Sequence, residues 1–202
     1  MTAILKVDTI QDTSGNNIIN ESSNTITIGA SGDTVTVPSG ATINLSNATQ
    51  TGVGGTNTPA FEAKRSGTQS ITNDTSVKIA CNVEDLDTAG AYDASTNYRF
   101  TPQTAGKYYI YAQATAQVAV QQLKRYSLFI RKNGSDHKYM SNYFTDNEAF
   151  ISTIFIGAVI DFNGSSDYVE LWCKIERDSS GSPIIDGGTP GPTFGGYKLI
   201  GV

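Results

Sequence analysis

The chain has 202 residues, only 16% of them charged, with a net charge of −5 and a pI near 4.8. So acidic a chain, with so few Lys and Arg, excludes a general electrostatic grip on nucleic acid, which needs clustered cations against the phosphates. No stretch is long and apolar enough to cross a bilayer, and Met1–Lys6 lacks a basic region followed by an apolar run, so folding in the cytoplasm of synthesis and no membrane insertion are expected.

The first fifty residues have one texture. Leu5-Lys6-Val7-Asp8-Thr9-Ile10 alternates apolar and polar residues and ends at the turn-like Asp12-Thr13-Ser14-Gly15-Asn16. Three further runs recur every eight or nine residues: Thr25–Gly29, Thr34–Pro38 and Thr42–Ser46. Alternation within each run is the pattern of a half-buried strand, and Gly29, Gly32, Pro38 and Gly40 supply turns. Each run offers two apolar side chains on one face: Ile26 and Ile28, Val35 and Val37, Ile43 and Leu45. One thin ladder cannot bury them. Three chains wound about one axis can, which makes residues 1–50 a trimeric β stalk with Ile26, Val35 and Ile43 as contacts between copies. The alternative is a polar leader that does not fold alone. Residues 51–58, Thr51-Gly52-Val53-Gly54-Gly55-Thr56-Asn57-Thr58, have little to pack and read as a joint.

Residues 59–202 form the second unit. Strand signals follow one another closely, helical spacing is absent, and about ten strands point to a β-sandwich, most simply a jelly roll. Ser127–Lys132 reads as a strand ending in an Asn133-Gly134 hairpin turn. Phe150–Ile160 is a long β-branched and aromatic strand, Asp161–Gly164 turns the chain, and Tyr168–Ile175 returns it. Cys81 and Cys173 each alternate with apolar neighbours, which puts both thiols on buried faces. They read as two packed free thiols, with a disulfide as the alternative.

This unit resembles the globular domain of complement C1q and its relatives, which share the tumour-necrosis-factor jelly roll. Six segments carry the resemblance in order: Ala60-Phe61-Glu62-Ala63; Tyr92-Asp93 with Tyr98-Arg99-Phe100-Thr101-Pro102; Gly106–Tyr111; Leu128–Gly134; Asp167–Leu171; and Thr193–Leu199. Asn97-Tyr98 departs from the family pattern, and the Gly/Ser/Pro-rich loop Asp178–Pro192 is longer than the family leads one to expect. The resemblance implies a trimer. It also implies that Tyr108, Ile110, Phe194 and Tyr197, on the two best-matched strands, lie between or beneath subunits. The opening segment Leu5–Ile10 and the thin β texture after it resemble the virion fibre proteins of tailed phages, which implies attachment to other virion proteins through residues 1–50.

Little in the chain suggests catalysis. The single histidine, His137, follows a turn and reads as a solvated surface residue. No convergent carboxylate pair or zinc spacing is visible, and no cofactor is expected. Glu84, Asp85, Asp87 and Asp93 form an acidic loop around Leu86. Asp85, Asp87 and Asp93 are candidate calcium ligands, as in some members of the resembled family, against the alternative of solvated carboxylates. Tyr139 and Tyr143 are candidate ligand contacts, because exposed aromatic rings stack on sugars or anchor proteins; core or subunit-contact roles are the alternative. Trp172 falls opposite Leu171 and Cys173 and is expected across a subunit contact or in solvent. The expectation is a non-enzymatic homotrimeric fibre protein of a phage virion whose head contacts a host-surface saccharide or protein. A capsid decoration protein and a cellular adhesin or lectin are the competing readings.

Overall fold

The computed structural model describes residues 9–15, 17–23, 25–43, 57–120, 122–144, 149–178, 182–188 and 191–200. The chain divides into two compact units, Met1–Val53 and Gly54–Val202. Among the described residues there are strands and turns and no helix.

In the first unit, β1 (Thr9–Gln11), β2 (Asn17–Ser22) and β3 (Thr25–Ile28) form a three-stranded antiparallel sheet. The pairs Ile10↔Ile19 and Ile19↔Ile28 set three isoleucines in a row across it, since directly paired residues share a face. Ile26 joins that face two residues before Ile28. The expected ladder of three recurring runs is only partly present. Thr25–Ile28 is a strand, but Thr34–Val37 and Thr42–Ile43 pair with nothing and carry no strand. Alternation fits an extended chain to a sheet, yet a strand also needs a partner for its backbone groups. Leu5–Asp8, Leu45 and Thr51–Thr56 lie outside the described residues.

The second unit is a sandwich of two antiparallel sheets. Its strands in chain order are β4 (Ala60–Lys64), β5 (Gln69–Ser70), β6 (Ser76–Lys78), β7 (Val83–Asp87), β8 (Tyr92–Asp93), β9 (Arg99–Phe100), β10 (Gly106–Gln117), β11 (Leu123–Lys132), β12 (Ser135–Tyr143), β13 (Ile151–Phe162), β14 (Val169–Arg177), β15 (Ile184–Ile185) and β16 (Thr193–Lys198). In one sheet β10 runs beside β13 along its whole length. Its other edge meets β16 and then β15; β16 passes to β4 and β7, and β15 to β5. The other sheet has the order β12-β11-β14-β9-β8, with β6 also on β14.

Period-two alternation builds the core. In β10 the side chains of Tyr108, Ile110, Ala112, Ala114 and Ala116 turn inward and are buried; β13 supplies Ile154, Ile156, Ile160 and Phe162. From the facing sheet come Tyr126, Leu128, Ile130, Val169, Leu171, Cys173 and Ile175. Phe61 stacks on Phe100 with ring centroids 4.2 Å apart and meets Phe194 edge-on at 5.1 Å. Tyr108 meets Phe162 edge-on at 5.0 Å. The Tyr126 hydroxyl crosses the sandwich to donate to the Ala114 carbonyl at 3.0 Å, so this buried polar group is satisfied. Cys81 and Cys173 are buried free thiols, and burial pushes both pKa values up to about 12.

β11 and β12 are joined by the expected two-residue turn. Lys132 pairs with Ser135, and both Asn133 and Gly134 have positive φ, as this hairpin type requires.

Candidate assembly and ligand-contact surfaces

The outer face of the β10 sheet follows from the same alternation. When Tyr108, Ile110 and Ala112 point in, Lys107, Tyr109, Tyr111 and Gln113 point out. Register assembles their neighbours into rows. Val159, Tyr109 and Tyr197 form one row across β13, β10 and β16. Gly157, Tyr111, Gly195, Glu62 and Leu86 form the next, across five strands. The two glycines leave room for tyrosines lying flat: a Cβ at Gly157 would run into the Tyr109 ring, and one at Gly195 into the Tyr111 ring. Tyr109 packs against Tyr111 and Tyr197 with centroids about 6 Å apart. The Tyr111 hydroxyl donates to the Glu62 carboxylate at 2.5 Å; burial first, and then that carboxylate, raise its pKa. Phe155 and Val159 are each more than half exposed in the single chain, and Ile151, Leu86 and Tyr197 are exposed as well. The result is a flat, tyrosine-rich apolar face, with the Lys107–Asp161 ion pair (2.7 Å) at its rim.

This geometry divides the residues expected between or beneath subunits. Tyr108, Ile110 and Phe194 are fully buried inside one chain. They keep no surface for another copy, so they lie beneath the face and not in it. Tyr197 does lie in it. Tyr109, Tyr111, Phe155 and Val159 were not expected there. In the first unit Ile26, Val35 and Ile43 are each at least 60% exposed.

The outer face of the β11 sheet is organised differently. Tyr139, Phe129, Trp172 and Lys78 form one row across β12, β11, β14 and β6. Arg131 lies over the Trp172 ring at 4.4 Å and the Phe129 ring at 5.5 Å, and Lys78 over Trp172 at 5.7 Å. Glu170 is buried in the next row of the same face, opposite Arg131. It accepts from Lys78 Nζ at 2.5 Å and from the Trp172 indole at 2.9 Å. Trp172 is therefore partly covered by cations of its own chain. Tyr139 and Tyr143 are exposed, and Tyr143 pairs in register with Arg125 and through it with Glu176.

The expected acidic loop is not a loop: Glu84, Asp85 and Asp87 lie on β7 and Asp93 on β8, because the segment pairs with β4 and β9, and the candidate carboxylates are already engaged. Asp85 pairs with Lys64 at 2.6 Å. Asp87 accepts from the backbone N–H groups of Ala89 and Tyr92. Asp93 accepts five hydrogen bonds, from the backbone N–H groups of Ser95, Thr96 and Asn97, the Ser95 hydroxyl and the Asn97 amide. The backbone donors of Thr96 and Ser95 hold its carboxyl well below the usual carboxylate range. Asp87 and Asp93 brace turns while Asp85 is held in its ion pair across β4 and β7, and among the described residues no group of three or more His, Cys, Asp or Glu side chains is placed to hold a metal ion. His137 is exposed on β12.

No family model matches the chain, and no curated protein matches its sequence. Among solved structures, the globular domain of zebrafish complement 1qA protein is 16% identical over 70% of this chain and 97% of that one, with a TM-score of 0.47. Murine APRIL is 10% identical over 69% of this chain and 98% of that one, with a TM-score of 0.52. The likeness to APRIL, together with the two-sheet topology, shows the fold of the second unit, an all-β jelly roll.

Proposed function

We propose that this chain is a non-enzymatic, homotrimeric structural fibre protein of a phage virion. Its first unit attaches to other virion proteins, and its jelly-roll head contacts a host-surface glycan or protein. The observation that carries the assembly reading is the flat outer face of the β10 sheet, where Phe155, Val159 and Tyr197 are exposed in the single chain around the half-buried Tyr109. A contiguous apolar patch on a sheet is an interaction surface, and aromatic residues are enriched at such contacts. The trimeric habit of C1q-like and tumour-necrosis-factor-like domains favours three copies about one axis. The isoleucine row Ile10, Ile19 and Ile28 in the first unit has the same need for cover. The virion reading rests on the resemblance of the opening segment and its thin β texture to phage fibres.

Imaging of intact phage particles at a resolution that places the chain tests this reading. A projecting three-fold fibre is the expected result. Density lying flat on the shell makes the chain a decoration protein, and its absence from particles rejects a virion role.

A further inference from the structure

A shallow cavity of about 300 Å³ opens at one end of the β11 sheet, lined by Lys124, Arg125, Tyr143, Phe144 and Glu176. Three of these residues form a register row across the strands: Tyr143 on β12, Arg125 on β11 and Glu176 on β14. The charged groups are held in place. Arg125 Nη2 contacts Asp74 at 3.0 Å and Glu176 at 3.1 Å, and Lys124 pairs with Asp178 at 2.8 Å. Lys174 also pairs with Asp74, at 2.9 Å. The Arg125 guanidinium lies 5.9 Å from the centroid of the Tyr143 ring. The Phe144 N–H donates to the Lys124 carbonyl at 2.8 Å, which ties down the end of β12. Tyr143 nevertheless remains 65% exposed, a large ring left open above a fixed polar floor.

We propose that this cavity binds one pyranose unit of a saccharide, stacked on the Tyr143 ring, with its hydroxyls held by Arg125 and Glu176. This rests on the reading that the head contacts the host surface, and it names the ligand class and the site. An aromatic ring with a polar tip presents an apolar face to the C–H side of a sugar. The surrounding cations and carboxylates already neutralise one another, so the site offers fixed donors and acceptors with little net charge. A neutral polyhydroxyl ligand uses these without breaking an ion pair, whereas a multiply charged anion has to displace Glu176 or Asp74. The volume sits at the small end of ligand sites, enough for a single ring. A protein partner needs a contact several times larger. The cavity lies on the sheet opposite the tyrosine-rich face, so covering that face with other copies leaves it open.

The test is saturation-transfer NMR on the full chain with the methyl pyranosides of glucose, galactose, mannose and N-acetylglucosamine, run beside attachment of the same protein to intact host cells. At least one glycoside is expected to receive saturation. Tyr143→Ala should weaken binding about tenfold or more, and Tyr143→Phe should leave it within a few-fold, because the ring face makes the contact. Both variants should keep the wild-type mass and melting temperature, since the ring is mostly exposed. A glycoside signal unchanged in Tyr143→Ala, or no signal from any of the four, overturns the proposal. If cell attachment is then lost in Tyr143→Ala, the ligand is a host protein and the attachment reading survives. Glycoside binding without any attachment to cells supports the site and removes host attachment.

Discussion

Replacing Phe194 with Ala removes a ring that is fully buried on β16, edge-on to Phe61 at 5.1 Å and near Tyr92 at 6.3 Å. Truncating a buried Phe costs about 3–5 kcal/mol, the sum of lost transfer energy and the cavity left behind. The site has little room to collapse. Its neighbours Phe61 and Tyr92 stack on one another, and Phe61 also stacks on Phe100, so the upper half of that range is expected. For a domain of this size each kcal/mol moves the melting temperature by about 2–4 °C, which predicts a fall of roughly 8–20 °C. Thermal unfolding followed by circular dichroism measures it. Because Phe194 faces the core and not the outer face, its loss should lower stability before it changes subunit mass. An unchanged melting temperature would refute the placement of β16 against β4 and β10, and with it the sandwich.

Val159→Lys combined with Tyr197→Lys places two cations in the row that flanks Tyr109; the expected result is loss of the assembled mass with the β spectrum retained, measured by light scattering and circular dichroism. Ile26, Val35 and Ile43 changed together to Asp should weaken assembly through the first unit, while residues 59–202 expressed alone still give a β spectrum; an unfolded fragment would reject the domain boundary. Asp93 has a depressed pKa in the folded chain, so its contribution is present above the ordinary carboxylate range and is lost as the pH falls through and below that range. Asp93→Asn should therefore lower the melting temperature at neutral pH and flatten its dependence on acid, while added calcium or chelator leaves wild-type melting unchanged.

The fold was legible where alternation and turn chemistry agree. Ala112–Ala116 alternates cleanly, the run up to Ile160 is β-branched and aromatic, and Asn133-Gly134 marks its hairpin. Strand β12 was not legible. Ser135-Asp136-His137-Lys138-Tyr139-Met140 lies on a sheet edge and is exposed on both faces, so no apolar period marks it. The opposite error arose at Thr34–Val37, where alternation is present but no neighbouring strand is. At the assembly face, alternation showed two sets of residues on β10 but not which set turns inward. That is decided by the facing sheet, which takes Tyr108, Ile110 and the alanines and leaves Tyr109 and Tyr111 outside. The seats under Tyr109 and Tyr111 are Gly157 and Gly195, dozens of residues away, and only register brings them together. By contrast, the ligands of Asp93 lie two to four residues ahead, and Asp93-Ala94-Ser95-Thr96-Asn97 shows the self-capped turn that competes with calcium.

The most direct test of the central claim is the mass of the full chain in solution, measured by light scattering across a dilution series into the low micromolar range. Burial of the Tyr109, Phe155, Val159 and Tyr197 face between copies predicts three times the chain mass of 21.5 kDa, held throughout the series. A stable, folded monomer that leaves this face in water would contradict it.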